Sequence, residues 1–476
     1  MCFLFIVMGW IIVKMLNKEQ QEALEFINSG ENIFLTGDAG TGKSFLLDHY
    51  IDNTKKKVLV CAPTGVAALN VRGTTIHRAF KIFDFGPIIT TDVRKCPKEI
   101  EEADVIVIDE ISMCRIDIFD FIARTLLFKQ LDRHKSTQLI VVGDFFQLPP
   151  VMTQDDRETL LKVYPNLGNG YCFESKFWAE FNFRNIKLTQ VMRQDDEEFK
   201  NNLNKARVGD TSCIPYFNQC VGRYIEDAIC LTAYNKDAKR INEERLNMLE
   251  EDEFYFEAEV EGDVSESEYP TDETLKLKVG ARIMCLVNES DGKYVNGSLG
   301  TIIERYDDSI KVELDNGNVV YIEPYEFIYY DYKVEEKMKG EELIKDLEKI
   351  ERGKFIQLPI KLAYSITIHK SQGQTYDKVQ IRPKSFAPGQ LYVALSRCKS
   401  FDMTSLDYGI SNDFLKTSQE VLQFSNILSL SEQDKINVIN MSKQLVNNMT
   451  QDSFNILPNN LKQDFINLYN IFYRRG

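Results

Sequence analysis

The 476-residue sequence predicts an α/β fold with two lobes, each built around a parallel sheet. Apolar, β-branched runs occur repeatedly in the first part of the chain, at residues 33–36, 58–62, 105–108 and 139–142. Runs that are apolar on both faces are typical of buried parallel strands. A similar series starts again after about residue 185, at residues 230–233, 283–287, 362–368 and 378–381. The repetition predicts a second lobe of similar design, with a cleft between the two lobes.

A glycine-rich loop directly follows the first apolar run. All of its residues are candidate nucleotide ligands: Gly37, Asp38, Ala39, Gly40, Thr41, Gly42, Lys43 and Ser44. Glycines allow consecutive backbone N–H groups to point at phosphate oxygens, and the helix expected after the loop directs the positive end of its dipole at the same anion. Lys43 is expected to neutralise the β and γ phosphates of a nucleoside triphosphate, and the Ser44 hydroxyl to ligate Mg²⁺. The alternative, a glycine-rich turn that binds nothing, is disfavoured by the complete spacing.

Polar residues follow two further apolar runs. Asp109 and Glu110 come directly after the run at residues 105–108, and Gln147 comes shortly after the run at residues 139–142. Because ligands gather beyond the carboxyl ends of parallel strands, these side chains are expected near the glycine-rich loop. Asp109 is expected to hold Mg²⁺ through water, and Glu110 to polarise the attacking water. Taken alone, the Asp-Glu pair is more readily a solvated strand end, and the upstream loop reverses that preference in favour of the catalytic role.

Composition limits the class of protein. The chain is 43% apolar, enough to bury more than one core, and its length suggests roughly two to four domains. Its net charge of -15 argues against a broad basic surface that coats nucleic acid, but leaves room for a local positive groove. The ten cysteines include no Cys-x-x-Cys pair, and the four histidines do not cluster with them. We therefore expect no zinc site, no disulfide framework and a reducing intracellular compartment, whether nuclear, cytoplasmic or at a viral replication site.

Residues 1–14 are interpreted as an apolar N-terminal extension. Residues 2–13 are nearly all apolar, with no positive charge before them. This run is too short to span a bilayer comfortably and lacks the basic start and small-residue cleavage site of a signal peptide. Three interpretations remain: translation that naturally begins at Met15, a segment packed on the surface, or a short membrane-associating tail. The first two are preferred, and no stable membrane insertion is expected.

Nine motifs follow one another between about residues 16 and 405. They are Leu-Asn-Lys-Glu-Gln (16–20), the glycine-rich loop (37–44), Ala-Pro-Thr-Gly-Val-Ala-Ala (62–68), Thr-Thr-Ile-His (74–77), Ile-Asp-Glu-Ile-Ser-Met (108–113), Gly-Asp-Phe-Phe-Gln-Leu-Pro-Pro (143–150), Val-Met-Arg-Gln (191–194), Ile-His-Lys-Ser-Gln-Gly (368–373) and Tyr-Val-Ala-Leu-Ser-Arg (392–397). On these motifs the sequence resembles the superfamily 1 DNA helicases of the PIF class, which are related to the RecD and Dda helicases.

The resemblance implies a specific architecture. It is an α/β fold of two RecA-like parallel-sheet lobes, with a small wedge insertion in the first lobe and an SH3-like β-barrel insertion in the second. The implied boundaries are residues 15–185 for lobe 1 with the wedge at about 80–103, residues 186–275 and 356–411 for lobe 2, residues 276–355 for the SH3-like insertion, and residues 412–476 for a helical C-terminal tail.

Two glutamines and two arginines gain implied roles at the nucleotide. Gln20 resembles the residue that reads adenine, because an amide pairs with both a donor and an acceptor on one base edge. Gln147 resembles the residue that senses the γ phosphate. Arg193 and Arg397 resemble residues that reach the terminal phosphate from the second lobe, and Gly373 is placed near the nucleotide. The alternatives are a surface glutamine, a turn residue before two prolines, and surface cations.

Other motif residues gain implied roles on the nucleic-acid strand, where hydroxyls, amides and cations meet phosphates without reading sequence. They are Pro63, Thr64, Thr75, His77, Asn235, His369, Lys370, Ser371 and Gln372. Taken alone, His77 is more often a core histidine, and Asn235 equally suits a helix cap.

The two insertions and the tail carry weaker signals. Short alternating runs around Asn-Gly and Gly turns at residues 276–354 predict a small antiparallel barrel, and the charged stretch at residues 335–352 suggests a solvated helical hairpin. In the wedge, Phe83 and Phe85 are candidate pin residues that would stack on the last base pair, and ordinary packing is an equal alternative. The Asn-rich tail suggests packing or partner contact, and its sequence does not choose between them.

The sequence thus predicts an ATP-dependent DNA helicase with ATP and Mg²⁺ as cofactors. Its 5′ to 3′ polarity rests on the resemblance alone. Expected partners are single-stranded and forked duplex DNA, with replication or repair proteins on the tail, and a monomer is expected. Replication, recombination, repair and telomere maintenance are the processes implied. The alternatives are an ATP-driven single-strand translocase or RNA helicase, and a nucleotide-gated DNA clamp with little turnover.

Overall fold

The described chain folds as two compact units. The computed structural model describes residues 16–64, 67–68, 71, 73–82, 86–89, 96–133, 136–190, 196–264, 266, 269–287, 289, 292–294, 296–339 and 342–429. The first unit contains the described residues up to Tyr216, together with Ser385–Ser396 and those from Ser411 onward. The second unit contains Phe217–Lys384 and Arg397–Ile410. The chain therefore enters the second unit, returns briefly to the first, and passes through the second again.

Helices alternate with strands through both units. In chain order the helices are α1 (Lys18–Asn28), α2 (Lys43–Asn53), α3 (Ile76–Phe80), α4 (Lys98–Glu102), α5 (Ile116–Arg133), α6 (Gln154–Leu161), α7 (Lys176–Glu180), α8 (Glu197–Arg207), α9 (Ile214–Phe217), α10 (Asn235–Asn247), α11 (Gln390–Leu395) and α12 (Gln419–Leu428). None of these helices, in the part of the chain that is described, combines the length and apolar character needed to cross a bilayer.

A six-stranded parallel sheet forms the centre of the first unit. Its strands are β1 (Ile33–Gly37), β2 (Val58–Ala62), β3 (Thr74–Thr75), β4 (Val105–Ile108), β5 (Gln138–Val142) and β6 (Arg184–Leu188). Their order is β3-β2-β4-β5-β1-β6, and every neighbouring pair is parallel. The strands predicted from the apolar runs are confirmed, and β3 and β6 join them. Because β6 pairs with β1, the expected lobe boundary at residue 185 falls inside a strand of this sheet.

Two apolar cores cover the two faces of this sheet. Along β4, Ile106 and Ile108 enter one core, whereas Val105 and Val107 enter the other. All four side chains are fully buried. The alternation explains why the run is apolar throughout, since each face of a parallel sheet is covered by helices. It also leaves the carboxyl ends of the strands as the part of the sheet available for polar chemistry.

The last described helix belongs to the first core. The ring of Phe424 in α12 stacks on that of Phe173, with the centroids 4.3 Å apart. It also approaches the rings of Phe34, Phe145 and Trp178, at 6.2, 5.5 and 5.8 Å. The beginning of the C-terminal segment therefore packs within the first unit. Residues 430–476 lie outside the described residues.

Part of the expected wedge segment also enters this core. Ile82, Cys96 and Ile100 are buried within it. The candidate pin residues Phe83 and Phe85 lie outside the described residues, so their role stays a prediction.

The second unit combines a parallel sheet with antiparallel strands. The strands of this unit are β7 (Ile229–Thr232), β8 (Phe254–Glu257), β9 (Glu259–Gly262), β10 (Thr274–Leu277), β11 (Arg282–Cys285), β12 (Leu299–Arg305), β13 (Ile310–Leu314), β14 (Val319–Ile322), β15 (Tyr325–Lys339), β16 (Glu342–Gln357), β17 (Ile360–Leu362), β18 (Ser365–Thr367), β19 (Val379–Ile381) and β20 (Thr404–Leu406). The parallel sheet has the order β18-β7-β19-β20, and a five-stranded antiparallel sheet has the order β14-β13-β12-β11-β17.

The strands of this unit differ from the sequence prediction in three places. The run at 283–287 does not join the parallel sheet, because β11 pairs antiparallel with β12 and β17. The run at 362–368 is divided between β17 and β18, which belong to different sheets. The antiparallel strands extend from Phe254 to Leu362, a wider span than the expected insertion at 276–355.

The predicted helical hairpin at residues 335–352 is wrong. The backbone there forms an antiparallel β-hairpin of β15 and β16, paired from Tyr325↔Gln357 to Lys339↔Glu342. The backbone register sets Lys333 opposite Glu348. The charge content of the stretch does not by itself distinguish an extended hairpin from a helical one.

Phe424→Ala is expected to destabilise the first unit by about 3–5 kcal/mol, because it removes the ring at the centre of the aromatic cluster and leaves a cavity. Urea unfolding followed by tryptophan fluorescence measures the change, since Trp178 lies in the same cluster. Gln423→Ala is the matched control, because Gln423 is exposed on the same helix and its loss is expected to cost less than about 0.5 kcal/mol. Equal stability of the two variants would contradict the packing of α12 in this core.

Candidate nucleotide-binding site and strand-binding segments

The glycine-rich loop connects β1 to α2. Gly40 and Gly42 both have φ of 81°, in the left-handed region that disfavours side chains, so these glycines set the path of the loop. Helix α2 begins at Lys43, directly after Gly42. The first N–H groups of α2 therefore lack helical partners and, with the helix dipole, favour an anion at this end. Ser44, in the same turn, is exposed.

Lys43 carries the positive charge of the loop. Its Nζ donates hydrogen bonds to the carbonyl oxygens of Gly37 at 2.9 Å and Asp38 at 3.1 Å. Burial lowers the pKa of this ammonium, and the negative charges of Asp144 and Glu110 oppose that shift. A hydrogen bond from a cation to an anionic oxygen is stronger than one to a neutral carbonyl. The ammonium is therefore suited to exchange its carbonyl partners for phosphate oxygens.

Asp109 and Glu110 lie at the carboxyl end of β4. The Asp109 N–H donates to the carbonyl oxygen of Cys61 at 2.9 Å, which continues the pairing of β4 with β2. Burial, followed by the charge of Glu110, raises the pKa of Asp109 to about 7. Glu110 has φ of 50°, a conformation that is uncommon for a residue with a side chain. Backbone strain of this kind clusters at functional sites, where the surrounding structure maintains it.

The donor set at the loop fits Mg²⁺. Within the ranges described above, no three His, Cys, Asp or Glu side chains group into a metal cluster. Mg²⁺ bound with a nucleotide usually takes one or two protein oxygens and completes its shell with water and phosphates. The exposed hydroxyl of Ser44 and the carboxyl of Asp109 are oxygen donors of this type.

Gln20 is bound to the loop itself. Its Oε1 accepts a hydrogen bond from the Asn17 N–H at 3.0 Å, while its own N–H donates to Asn17 Oδ1 at 2.8 Å, and the two bonds form a capping box at the start of α1. Its Nε2 lies 3.4 Å from the carbonyl oxygen of Thr41 and 3.5 Å from that of Gly42. A β-carbon at Gly42 would lie 2.5 Å from this Nε2. Both Oε1 and Nε2 of the Gln20 amide are therefore hydrogen-bonded to the protein's own backbone. The predicted contact with adenine would have to share these two atoms with the backbone groups.

Gln147 lies in the turn that follows β5 and is buried. Its N–H donates to the carbonyl oxygen of Asp144 at 2.9 Å, which closes the turn. The start of helix α11 packs against the backbone of this turn. A β-carbon at Gly389, the residue before α11, would lie 2.3 Å from the carbonyl oxygens of Phe146 and Gln147. The predicted phosphate sensor is therefore held between the end of the sheet and α11.

Two residues at this site are not predicted from the sequence. Arg207, the last residue of α8, donates from Nε to Asp144 Oδ2 at 3.0 Å and from Nη2 to Asp144 Oδ1 at 2.7 Å. Its Nε also lies 3.3 Å from Asp38 Oδ1. The hydroxyl of Tyr392, in α11, accepts a hydrogen bond from the Ala39 N–H at 3.2 Å. Tyr392 begins the motif at residues 392–397 and could have been chosen, whereas Arg207 lies in no motif.

The strand-binding residues predicted in the first lobe follow β2 and β3. The two strands pair in parallel through Ala62↔Thr75, so Thr64 and Thr75 lie at neighbouring strand ends. Thr64 Oγ1 accepts from the Ala67 N–H at 3.3 Å, and Thr75 Oγ1 accepts from the Arg78 N–H at 3.3 Å. Both hydroxyls thus act as local caps, and each retains a hydrogen to donate to a phosphate.

His77 lies within α3 and Pro63 directly precedes Thr64. Burial, followed by the charge of Arg115, lowers the pKa of His77. A neutral imidazole suits a partly buried histidine that offers one donor and one acceptor.

The predicted strand-binding residues of the second unit divide by exposure. Asn235 is the first residue of α10, and Tyr234 occupies the cap position, so the alternative role of Asn235 as the cap is wrong. Lys370 is exposed, whereas Ser371 and Gln372 are buried. The Ser371 hydroxyl donates to the carbonyl oxygen of Ile368 at 2.7 Å and so closes the turn on which Lys370 lies. Burial lowers the pKa of the neighbouring His369.

Lys361 adds a second cation beside Lys370. It lies on β17, opposite Met284 of β11. Burial, followed by the charge of Lys370, lowers the pKa of Lys361 to about 7. Two like charges placed together repel, and an anion between them would relieve the repulsion. Lys361 is not predicted from the sequence, because it lies in none of the motifs and only the fold places β17 beside residues 368–371.

Arg397 is buried, with 2% of its surface exposed. Its Nη1 donates to the carbonyl oxygens of Ser371 at 3.2 Å and Gln374 at 3.0 Å. Its own carbonyl oxygen accepts from the Tyr376 N–H at 3.0 Å. Arg397 is thus joined to the loop of residues 371–376, which includes Gly373. The other predicted arginine, Arg193, lies outside the described residues.

Comparison with known proteins supports the family resemblance that the motifs indicate. The family model for PIF1-like helicases matches residues 15–212. The ATP-dependent DNA helicase Pif1 of Campylobacter jejuni is 32% identical over 87% of this chain and 99% of its own length. That of Bdellovibrio bacteriovorus is 31% identical over 81% of this chain and 86% of its own length. The PIF1 helicase of Danio rerio is 32% identical over 87% of this chain, which spans 64% of that longer protein.

Solved structures give the same result for the fold. The crystal structure of Bacteroides Pif1 bound to ssDNA is 34% identical, with a TM-score of 0.71 over 87% of this chain and 96% of that one. The structure of the Bacteroides helicase with ADP-AlF3 and ssDNA is 35% identical, also with a TM-score of 0.71, over 87% of this chain and 97% of that one. The two parallel-sheet units are therefore RecA-like lobes. With these matches and the motifs described above, the chain belongs to the PIF1-like helicase family.

Proposed function

We propose that this chain is an ATP-dependent DNA helicase that moves 5′ to 3′ along single-stranded DNA and separates duplex DNA. The observation that carries the proposal is the half-buried Lys43 ammonium of a glycine-rich loop, which donates to the carbonyl oxygens of Gly37 and Asp38. Asp144, Glu110 and Asp109, at the carboxyl ends of parallel strands, are close enough to act on its charge. Relatives named as ATP-dependent DNA helicases support the activity, and neighbours bound to ssDNA and ADP-AlF3 support both ligands. The polarity rests on family resemblance alone.

In this proposal the loop and the residues at the neighbouring strand ends have separate roles in binding and hydrolysing ATP. Backbone N–H groups of the loop and Lys43 hold the phosphates, and Ser44 with Asp109 would hold Mg²⁺. The metal would neutralise charge on the β and γ phosphates. Glu110 orients and polarises the attacking water, and Gln147 senses the γ phosphate from the turn after β5.

Arginines from the second lobe complete the proposed centre. A guanidinium stays charged at every working pH and forks onto phosphate oxygens, so Arg397 and Arg193 are suited to stabilise the departing γ phosphate. Arg397 also holds the carbonyl oxygens of Ser371 and Gln374. Binding of a strand near Lys370 would therefore affect Arg397 through the loop of residues 371–376.

The strand is proposed to lie along Pro63, Thr64, Thr75 and His77 in the first lobe. In the second lobe it would meet Asn235 and residues 368–372, with Lys361 beside Lys370. These contacts reach the sugar-phosphate backbone and read no sequence. The antiparallel strands of the second unit are proposed as the SH3-like insertion, and residues 80–103 as the wedge that carries the pin.

A strand-separation assay on DNA forks with a single 5′ or a single 3′ tail tests this function. With ATP and Mg²⁺, the 5′-tailed duplex is expected to open and the 3′-tailed duplex to persist. ATP hydrolysis without opening of either duplex would favour a translocase, and opening of RNA alone an RNA helicase. Tight DNA binding with negligible turnover would favour a clamp. A comparison of fork, flap, quadruplex and RNA-DNA hybrid substrates then narrows the process served among replication, recombination, repair and telomere maintenance.

Lys43→Ala is expected to abolish ATP hydrolysis and strand separation, because it removes the cation that neutralises the phosphates. Phosphate release and the fork assay measure both losses, and circular dichroism checks the fold. Lys18→Ala is the matched control, since the Lys18 side chain is 90% exposed on α1. Strand separation by the Lys43→Ala variant would show that Lys43 of the loop is not required for the mechanism.

Arg397→Ala is expected to bind ATP but to turn it over more slowly, by a factor on the order of a thousand if the guanidinium stabilises the departing phosphate. Single-turnover hydrolysis and binding of a fluorescent nucleotide separate the two effects. Arg240→Ala serves as the control, because Arg240 is an exposed arginine of the same unit that pairs with Glu244 on the same helix. Turnover close to that of the unmodified chain would exclude Arg397 from the reaction.

Lys370→Ala is expected to weaken binding of single-stranded DNA and to reduce the slope of log affinity against log salt by ~0.7, the value for one phosphate contact on a single strand. Fluorescence anisotropy of a labelled oligonucleotide at several salt concentrations measures the slope. The control is Lys399→Ala, an exposed lysine of the same unit that pairs with Asp377. An unchanged slope for the Lys370 variant would place the strand elsewhere.

A further inference from the structure

Arg207 joins two loops of the first unit through a cluster of five residues, Asp38, Asp144, Phe146, Arg207 and Tyr392, here called the Arg207 cluster. The guanidinium grips both carboxylate oxygens of Asp144, at 2.7 and 3.0 Å, and its Nε lies 3.3 Å from Asp38 Oδ1. Its central carbon lies 4.1 Å from the centroid of the Phe146 ring. Asp38 belongs to the glycine-rich loop, whereas Asp144 and Phe146 belong to the turn that carries Gln147. One side chain therefore connects the phosphate loop to the phosphate sensor.

Tyr392 makes a second connection between the same two loops. Its ring is buried, and its hydroxyl accepts the Ala39 N–H of the glycine-rich loop. Its helix, α11, starts against the carbonyl oxygens of Phe146 and Gln147, an approach that requires glycine at position 389. Burial, followed by the charge of Asp144, raises the pKa of the phenol, so the hydroxyl stays protonated.

Asp144 is placed to compete for Lys43. Its side chain is fully buried, and Arg207 joins it to Asp38, whose carbonyl oxygen accepts a hydrogen bond from Lys43 Nζ at 3.1 Å. A buried carboxylate without a cation is costly and draws in any cation within reach. Arg207 satisfies Asp144 with two parallel hydrogen bonds, the strongest arrangement available to a carboxylate. The Lys43 charge is then left for the phosphates.

We propose that Arg207 is a positioning residue of the nucleotide site: it neutralises Asp144, so that Lys43 serves the triphosphate, and with Tyr392 it fixes the Gln147 turn against the phosphate loop. The proposal rests on the proposed function, since it concerns the same nucleotide. A buried ion pair with a purely structural role would only stabilise the fold. In this proposal Arg207 instead prevents Asp144 from competing with the phosphates for the Lys43 ammonium.

The test is whether loss of the carboxylate rescues loss of the arginine. Four full-length variants are compared: Arg207→Gln, Arg207→Lys, Asp144→Asn and the double variant Arg207→Gln with Asp144→Asn. The readouts are the Kd of a fluorescent ATP analogue without DNA, the kcat and KM for ATP with saturating single-stranded DNA, and the melting temperature. Arg184→Gln is the matched control, because Arg184 also pairs with a carboxylate, Glu31, and stacks on a ring, Phe26, but at an exposed position.

Arg207→Gln is expected to raise the Kd by at least about tenfold, because Asp144 then captures Lys43. Arg207→Lys keeps the charge without the fork and is expected to lose less. The double variant removes the competing carboxylate, so its Kd is expected to return to within about threefold of the unmodified chain. The Arg184 control is expected to leave Kd unchanged.

A purely structural pair predicts the opposite pattern. The double variant would then bind nucleotide no better than Arg207→Gln, and its Kd would follow the fall in melting temperature; that result overturns the proposal. Unchanged nucleotide binding by Arg207→Gln overturns it as well. Failure of the unmodified chain to bind nucleotide would instead refute the proposed function, so the two failures are distinguishable.

Discussion

The charges around the half-buried Lys43 ammonium determine what the nucleotide site of the first unit can bind. Lys43 lies at the start of α2 under the influence of Asp144, Glu110 and Asp109, while burial opposes its charge. At 4 Å and an effective dielectric constant of 20, two unit charges interact by about 4 kcal/mol, so the partner with which Lys43 pairs strongly affects how tightly a phosphate is held. Arg207 removes Asp144 from that competition, and Mg²⁺ would attract Asp109. The ammonium and the helix dipole are then left to the triphosphate.

The parallel sheet is what brings these charges together. The loop follows β1, the Asp-Glu pair follows β4 and the Gln147 turn follows β5, and β1, β5 and β4 are consecutive neighbours in the sheet. Sequence reasoning could predict this group of residues because each one directly follows an apolar run, and parallel strands share one carboxyl edge. The motif order also predicted the family, which the comparisons confirm.

Other features escaped prediction for a physical reason that they share. Arg207 and Asp144 are 63 residues apart in the chain, and Tyr392 and Ala39 are 353 apart, so no local pattern links them. The contact of the Gln20 amide with the loop is likewise not visible in the sequence, because only the fold shows that α1 lies beside Gly42, and the predicted adenine contact of Gln20 stays a prediction. The charged stretch at 335–352 forms a β-hairpin and not a helical one, because the pairing of β15 with β16 joins separate parts of the chain and a local charge pattern does not reveal it.

In the proposed function, the segment around α11 would connect the nucleotide site to the strand contacts along a short piece of chain. Tyr392 meets the phosphate loop, and Arg397, which follows the helix, holds the carbonyl oxygens of Ser371 and Gln374 beside Lys370. Steady-state ATP hydrolysis by the unmodified chain, with and without saturating single-stranded DNA, tests the proposed coupling between hydrolysis and strand binding. Hydrolysis is expected to be slow without DNA and many times faster with the strand. Equal rates in the two conditions would contradict it.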